Sequence, residues 1–196
     1  MRARPIRLEA GRYDIRAMAV GGGWKATAHL RRARQGAGVI ASATADTEDA
    51  VVSAIRAMLQ ARDVGLAAQR REEVRMGFTV PAPGEFQDAL AVVVLSPAQR
   101  AMLTAHAASG EAGLTATGLA RAAGYAGYEG ANMHYGKLGR ALADLMDVAP
   151  PQSLIRGQDL WTGVLAVWVP GPRDDDGAGR WVMYPELRQA LSAAAL

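Results

Sequence analysis

"LARAAGYAGYEGANMHYGKLGRAL", Leu119 to Leu142, is the stretch on which the fold turns. Ala120 followed four residues later by Gly124 is the small-residue spacing of a helix-turn-helix, with Gly124 closing the first helix in a left-handed conformation. "YAGYEG" makes the turn longer than the usual three or four residues. Beyond it the faces separate. Ala131, Tyr135, Leu138, Leu142 and Leu145 recur at threes and fours and predict a buried stripe. Asn132, Met133, Gly136, Lys137 and Arg140 share the outward side. Asparagine reads adenine in bidentate fashion, arginine reads guanine and lysine holds phosphate, so Asn132, Lys137 and Arg140 are expected to contact DNA. Gly136 and Gly139 each cost a helix about 0.5–1 kcal/mol relative to alanine. They make sense where the backbone must come close to nucleic acid or to a neighbouring helix. Tyr125 and Tyr128 stand in the turn, where they either stack on a base or sugar or hold the turn together.

Helices are expected on both sides of this stretch. "SPAQRAMLTAHAAS" opens with Ser96 as cap and Pro97 at the first helical position, and places Met102, Leu103 and His106 on its apolar side. Thr115 caps the helix that carries Leu119, Ala120 and Ala123. After the third helix, "LWTGVLAVWV" and "RWVMY" read as a β-hairpin with Trp161, Trp168, Trp181 and Tyr184 in its core, and "PELRQALSAAAL" as a last helix. Three helices and then a hairpin is the order of a winged helix, here expected over 96–196.

The first module is predicted over 9–75. "RYDIRAMAV" alternates Tyr13, Ile15, Ala17 and Ala19 with Arg12, Asp14, Arg16 and Met18, and "WKATAHLRR" alternates in the same way after the Gly21–Gly23 turn. A short third strand, "GVIASAT", follows a turn at Gln35 to Gly38. "ADTEDAVVSAIRAMLQARD" is helical, capped by Asp46 or Thr47, with Val51, Val52, Ile55, Met58 and Leu59 as its stripe. A three-stranded meander under one helix leaves an open face that carries Arg12, Arg16, Lys25, His29 and Arg31. Arg12, Arg16, Lys25 and Arg31 are expected to touch a DNA backbone, because β-ribbons enter the major groove as helices do. Pro81 and Pro83 in "GFTVPAPGEF" mark 76–95 as the linker. The fold class expected is therefore α+β in two modules.

Charge supports the same partner. Net charge is +3, but Met1 to Arg34 holds nine Lys/Arg against two acids, leaving 13 basic and 17 acidic residues elsewhere. A basic end on a mildly acidic chain suits a polyanion. There are no cysteines, which removes disulfides, thiol chemistry and cysteine-bound zinc. The N-terminal stretch has charges without an apolar core, and no apolar run is long enough to span a membrane, so a cytoplasmic protein without a membrane partner is expected.

The C-terminal half resembles a DNA-sensing module attached to bacterial HNH-type restriction endonucleases. The residues that carry the resemblance are Gly124, Tyr125, Tyr128, Ala131, Asn132, Tyr135, Gly136, Leu138, Gly139, Leu142 and Ala143, followed by Trp168, Trp181, Pro185, Glu186, Leu187, Ala190 and Leu191. It covers roughly 100 residues, and it implies DNA sensing without cleavage, because no His-Asn-His nuclease segment accompanies it. The N-terminal half resembles, in topology and pattern over about 60 residues, the sheet arms of phage-type integrases and HicB-type antitoxins, the latter through "TEDAV".

Catalysis is not expected. His29, His106 and His134 have no metal-ligand spacing, no P-loop, dinucleotide-binding glycine pattern or nucleophile elbow is present, and Asp174–Asp176 lacks the spacing of a calcium loop. No catalytic residue, cofactor or metal is assigned. The expected function is a non-catalytic double-stranded DNA-binding protein, a regulator or an accessory factor of a mobile element or defence system. Homodimerisation would pair its helices with paired half-sites. The alternative is an anti-defence type inhibitor that engages a protein or nucleoprotein partner with the same faces.

Overall fold

Tyr13, Ile15 and Ala17 on one strand and Ala26, Ala28 and Leu30 on the next are all buried, and their neighbours in sequence are not. That period of two is the imprint of a sheet with one covered face. In the computed structural model of the chain, which describes residues 5–33, 38–153, 157–174 and 177–194, this sheet has four strands. They are β1 (Ile6–Ala10), β2 (Tyr13–Val20), β3 (Gly23–Leu30) and β4 (Ala41–Ala45), joined as an antiparallel meander in that order. The expected three-stranded meander is therefore corrected to four. Gly21 and Gly22 both have positive φ (60° and 89°), the geometry of the tight turn that matches strand twist. The Arg2, Arg4 and Arg34 charges, the turn from Gln35 and the Asp175–Asp176 tip lie outside the described residues.

Helix α1 (Glu48–Ala67) crosses β2, β3 and β4 and buries Val51, Ile55 and Leu59 on the alanine-rich face. Each of these aliphatic side chains contributes about 1.5–3 kcal/mol on burial. Of the two candidate caps, Thr47 takes the position and accepts from the Ala50 N–H at 3.3 Å. The helix passes Gly65 and stops at Ala67, and the chain divides into two compact units there, Met1–Ala68 and Gln69–Leu196.

The stretch expected to be a linker, 76–95, is part of the second unit's core. Strand β5 (Arg71–Glu73) pairs with β6 (Phe78–Val80), and α2 (Pro83–Val92) follows with Phe86, Ala89 and Leu90 buried. Pro83 stands at the start of this helix, where its missing N–H costs nothing. Glu85, also buried, accepts from Arg70 Nε with both oxygens (3.2 Å to Oε1 and 3.0 Å to Oε2), from Arg70 Nη2 with Oε1 (2.6 Å) and from the Ala82 N–H (2.9 Å).

Next come α3 (Pro97–Ala108), α4 (Ala116–Ala122) and α5 (Tyr128–Met146), then β7 (Ala166–Asp174), β8 (Gly177–Met183) and α6 (Pro185–Ala193). Ser96 and Gln99 cap α3 reciprocally, side chain to backbone, at 3.1 and 3.0 Å. The segment expected to be the hairpin's first strand begins differently: Trp161–Val164 is a 3-10 turn, and only from Ala166 does the chain become β. Between α3 and α4, Leu114 forms an isolated antiparallel bridge with Trp181 of β8, with N–H···O distances of 2.9 and 2.8 Å. The Trp181 carbonyl takes a second donor, His106 Nε2 at 2.8 Å, so one oxygen ties α3, the Leu114 segment and β8 together. The chain is thus α+β, and among the described residues no helix is long and apolar enough to cross a membrane.

Candidate nucleic-acid interface

In the first unit, alternation sends Arg16 and Lys25 to the open face of the sheet, and both are exposed. No carboxylate among the described residues forms an ion pair with either. Arg31 differs. It reaches Glu9 at 3.1 Å and Asp14 at 3.6 Å, and its charge is compensated within the unit.

Arg12 does not belong to the open face. It sits in the β1–β2 turn rather than in a strand, so strand alternation does not govern it. Its Nη2 donates to Asp63 of α1 at 2.6 Å and its Nε to the Tyr13 hydroxyl at 3.1 Å. The Tyr13 hydroxyl donates to the same Asp63 oxygen at 2.5 Å and accepts from Arg62 at 2.9 Å. Burial, and then the hydrogen bond to Asp63, raise the Tyr13 pKa. For Arg12 burial opposes the charge, but the hydrogen bonds and charges of Asp63 and Tyr13 outweigh it, and its pKa is raised. Arg12 is a clasp between helix and sheet. Asp63→Ala is expected to lower the stability of this unit by about 1 kcal/mol in urea denaturation, a small value because Asp63 is 45% exposed and screened by solvent. An unchanged urea midpoint would remove the clasp.

In the second unit, the predicted stripe of α5 is buried at Ala131, Tyr135, Leu138 and Leu142, with Leu145 half-buried and Gly139, Ala143 and Met146 added. Opposite it, Asn132, Met133, Lys137 and Arg140 are exposed. Glu129 and Asp144 share that side near the helix ends, which leaves Lys137 and Arg140 as the cations of its middle. Arg140 is not loose: its guanidinium carbon stands 5.3 Å from the centroid of the Trp161 ring. A guanidinium held over an aromatic face keeps its plane while its N–H fork stays free for a bidentate partner.

The two helix glycines separate. A Cβ at Gly139 would lie 2.0 Å from the Trp161 carbonyl oxygen, so this glycine exists for packing within the unit. A Cβ at Gly136 would meet Trp161 Cβ and Thr162 Oγ1 at 3.9 and 4.0 Å, ordinary contact distances. The turn tyrosines separate too. Tyr125 stacks on His134 with centroids 5.3 Å apart and planes 11° from parallel, its ring lying against Gly130. It therefore holds the turn. Tyr128, at the first position of α5, is 51% exposed and stays on the outward side.

Two residues of this surface were not legible as such. Arg7 lies on the open sheet face directly opposite Arg16, and the signal for it was the alternation of Ile6, Leu8 and Ala10 with Arg7 and Glu9. Trp161 is expected in the hairpin core, but it precedes β7, and nothing in its neighbours foretells the 3-10 turn that brings it to Arg140.

Among the described residues no group of three or more His, Asp or Glu gathers in a way that could hold a metal ion. His106 is fully buried: its Nε2 must carry the proton, because the Trp181 carbonyl at 2.8 Å only accepts, and its Nδ1 accepts from the Tyr135 hydroxyl at 2.8 Å. Burial lowers its pKa to about 4 and raises that of Tyr135. Neither group opens to solvent, so the pair serves the core. No protein-family model, curated protein or solved structure matches this chain.

Proposed function

We propose that this chain is a non-catalytic protein that binds double-stranded DNA, acting as a regulator or as an accessory factor of a mobile element or defence system. The observation that carries the reading is the outward face of α5, where Asn132, Lys137 and Arg140 stand exposed on the third helix of a helix–helix–helix–hairpin order. The Leu114–Trp181 bridge supports a winged-helix assignment for this unit, since it ties the segment between the first two of those helices to β8 of the hairpin. In this reading α5 enters the major groove, Arg140 reads guanine, Asn132 reads adenine, and Lys137 meets phosphate. Tyr128 flanks them. A cysteine-free chain suits the reducing cytoplasm, and a homodimer would place two such helices on two half-sites.

Counterion release predicts that duplex affinity falls between 50 and 200 mM salt, by about three- to fourfold for each phosphate contact. Fluorescence anisotropy with labelled duplexes measures it. No detectable duplex binding at 50 mM salt ends this reading. Within it, Arg140→Ala is expected to lose about 10–100-fold on the preferred sequence and little on others, as one bidentate pair is worth about 1–3 kcal/mol of discrimination. Equal losses on every sequence would remove α5 from the recognition role.

The exposed Met18 and Val20 on the sheet, and Met133 and Tyr128 on α5, favour a second reading, a protein-binding inhibitor that uses the same faces. Apolar contacts of that kind hold at moderate salt, so the same titration separates the two.

A further inference from the structure

We infer that the open sheet face of the first unit is a phosphate-backbone grip for duplex DNA that does not read sequence, made by Arg7, Arg16 and Lys25 with the hydroxyls of Thr27, Ser42 and Thr44 beside them. The inference rests on the duplex-binding proposal and adds a site to it.

The register places the residues. Arg7 on β1 faces Arg16 on β2, Arg16 faces Thr27 on β3, and Thr27 faces Ser42 on β4, so one row crosses all four strands. In the next row Met18 faces Lys25, and Lys25 faces Thr44. Neighbouring strands are about 4.8 Å apart and rows about 7 Å, which gathers three cations within roughly 10 Å at their base. Arg7, Arg16, Lys25, Ser42 and Thr44 are exposed.

Like charges directly opposite on neighbouring strands destabilise a sheet. A sheet evolved for its own stability would set an acid across from Arg16, as it sets acids near Arg31. Here the acids of the open face, Glu9 and Asp14, form the next row toward the β1–β2 turn and are taken by Arg31 at 3.1 and 3.6 Å. The face is therefore divided into a compensated turn end and an uncompensated end that begins one row away. The uncompensated end carries only cations, hydroxyls and Met18 with Val20. Guanidinium and ammonium groups interleaved with hydroxyl donors are the chemistry that fixes phosphate oxygens.

The face also says which form of nucleic acid it suits. Single-stranded chains are held by stacking bases on aromatic rings. The unit's two aromatic residues, Tyr13 and Trp24, lie on the helix-covered side, in register with Leu30 and with Ala19 and Ala45. On the open face the one ring among the described residues is His29, in the row of Asp14, so the rows of Arg7, Arg16 and Lys25 can hold a backbone but offer no ring to an unpaired base. Their occupant is a duplex whose bases remain stacked inside.

The test is a salt titration of the full chain on several duplexes of unrelated sequence. Arg7→Thr with Arg16→Thr is expected to reduce the log–log salt slope by about 2 and to cost roughly 50-fold in affinity near 0.1 M salt, equally on every duplex. Its Tm is expected to equal or exceed that of the parent chain, because the repulsion is gone. Arg7→Lys with Arg16→Lys should keep the slope. If the threonine pair keeps the parent slope while the parent binds duplex, the sheet inference is overturned and the α5 reading stands. Losses that differ between sequences overturn it as well, as does a fall in Tm that the lysine pair shares. If the parent chain binds no duplex at 50 mM salt, both readings fall together.

Discussion

Gly139→Ala is expected to destabilise the second unit by about 3 kcal/mol or more, while Gly136→Ala, one turn earlier on the same helix, is expected to be neutral or to stabilise it by up to about 1 kcal/mol. Helix propensity favours both changes equally. What divides them is the Trp161 backbone, which would stand 2.0 Å (oxygen) and 2.8 Å (carbon) from a Cβ at Gly139. A side chain could swing away from such a contact, but a carbonyl fixed in a 3-10 turn can only move with the turn. That turn packs along α5, so relief means prising it off the helix. At Gly136 the nearest atoms are 3.9 Å away, and the added methyl finds a surface to lie against. Urea midpoints of the two variants measure the difference, and equal midpoints would show that the 3-10 turn yields freely.

The second unit is also expected to lose about 2 kcal/mol of stability between pH 6.5 and pH 5, in addition to what its carboxylates contribute, because of His106. The folded pKa is about 4 against 6.5 for the free side chain, lowered first by burial and also by the Arg188 charge, against a hydrogen bond to the Trp181 carbonyl that favours the charged form. The unfolded chain therefore binds a proton that the folded chain refuses. Stability is fully present above pH 6.5, falls by about 1.4 kcal/mol per pH unit below it, and levels off near pH 4, for about 3 kcal/mol in all. The geometry gives the reason. A proton on Nδ1 would face the Tyr135 hydroxyl, which now donates there, and that hydroxyl is buried. His106→Gln keeps an amide N–H for the Trp181 carbonyl and an oxygen for Tyr135 but cannot titrate, so its stability curve should be flatter over this range. Parallel curves for parent and variant would sink the assignment.

What could be read from residues alone was whatever repeats. The α5 stripe, the Ser96–Pro97 start of α3, the Thr47 cap and the alternation of β2 and β3 each state their geometry within a few positions, and the α+β class follows from them. Short or atypical elements do not repeat. Strands β5 and β6 have three residues each, too few for a period, and "REE" is polar throughout. Pro81 and Pro83 carry two meanings, extended chain and helix start, and only burial of Phe86 and Leu90 decides for the second. In β1 the arginines that argued for a basic end hid the period of Ile6, Leu8 and Ala10. The same limit governs the surface. Arg16, Lys25, Asn132, Lys137 and Arg140 follow from strand or helix periodicity and are exposed as expected. Arg12 and Arg31 sit at turns, where periodicity ends, and local acids claim both.

The Trp181 carbonyl, with its donors from His106 and Leu114, also sets an order in time. A ribosome releases residue 106 and residue 114 long before residue 181, and contacts of such separation form late and slowly. Until β8 emerges, the Leu114 amide and the His106 ring lack their acceptor, and α3 and α4 lack the strand they pack against. The nascent second unit can bring its helices together but closes its core only once β8 is made. The first unit has no such debt: every strand and helix it contains is synthesised before Gln69.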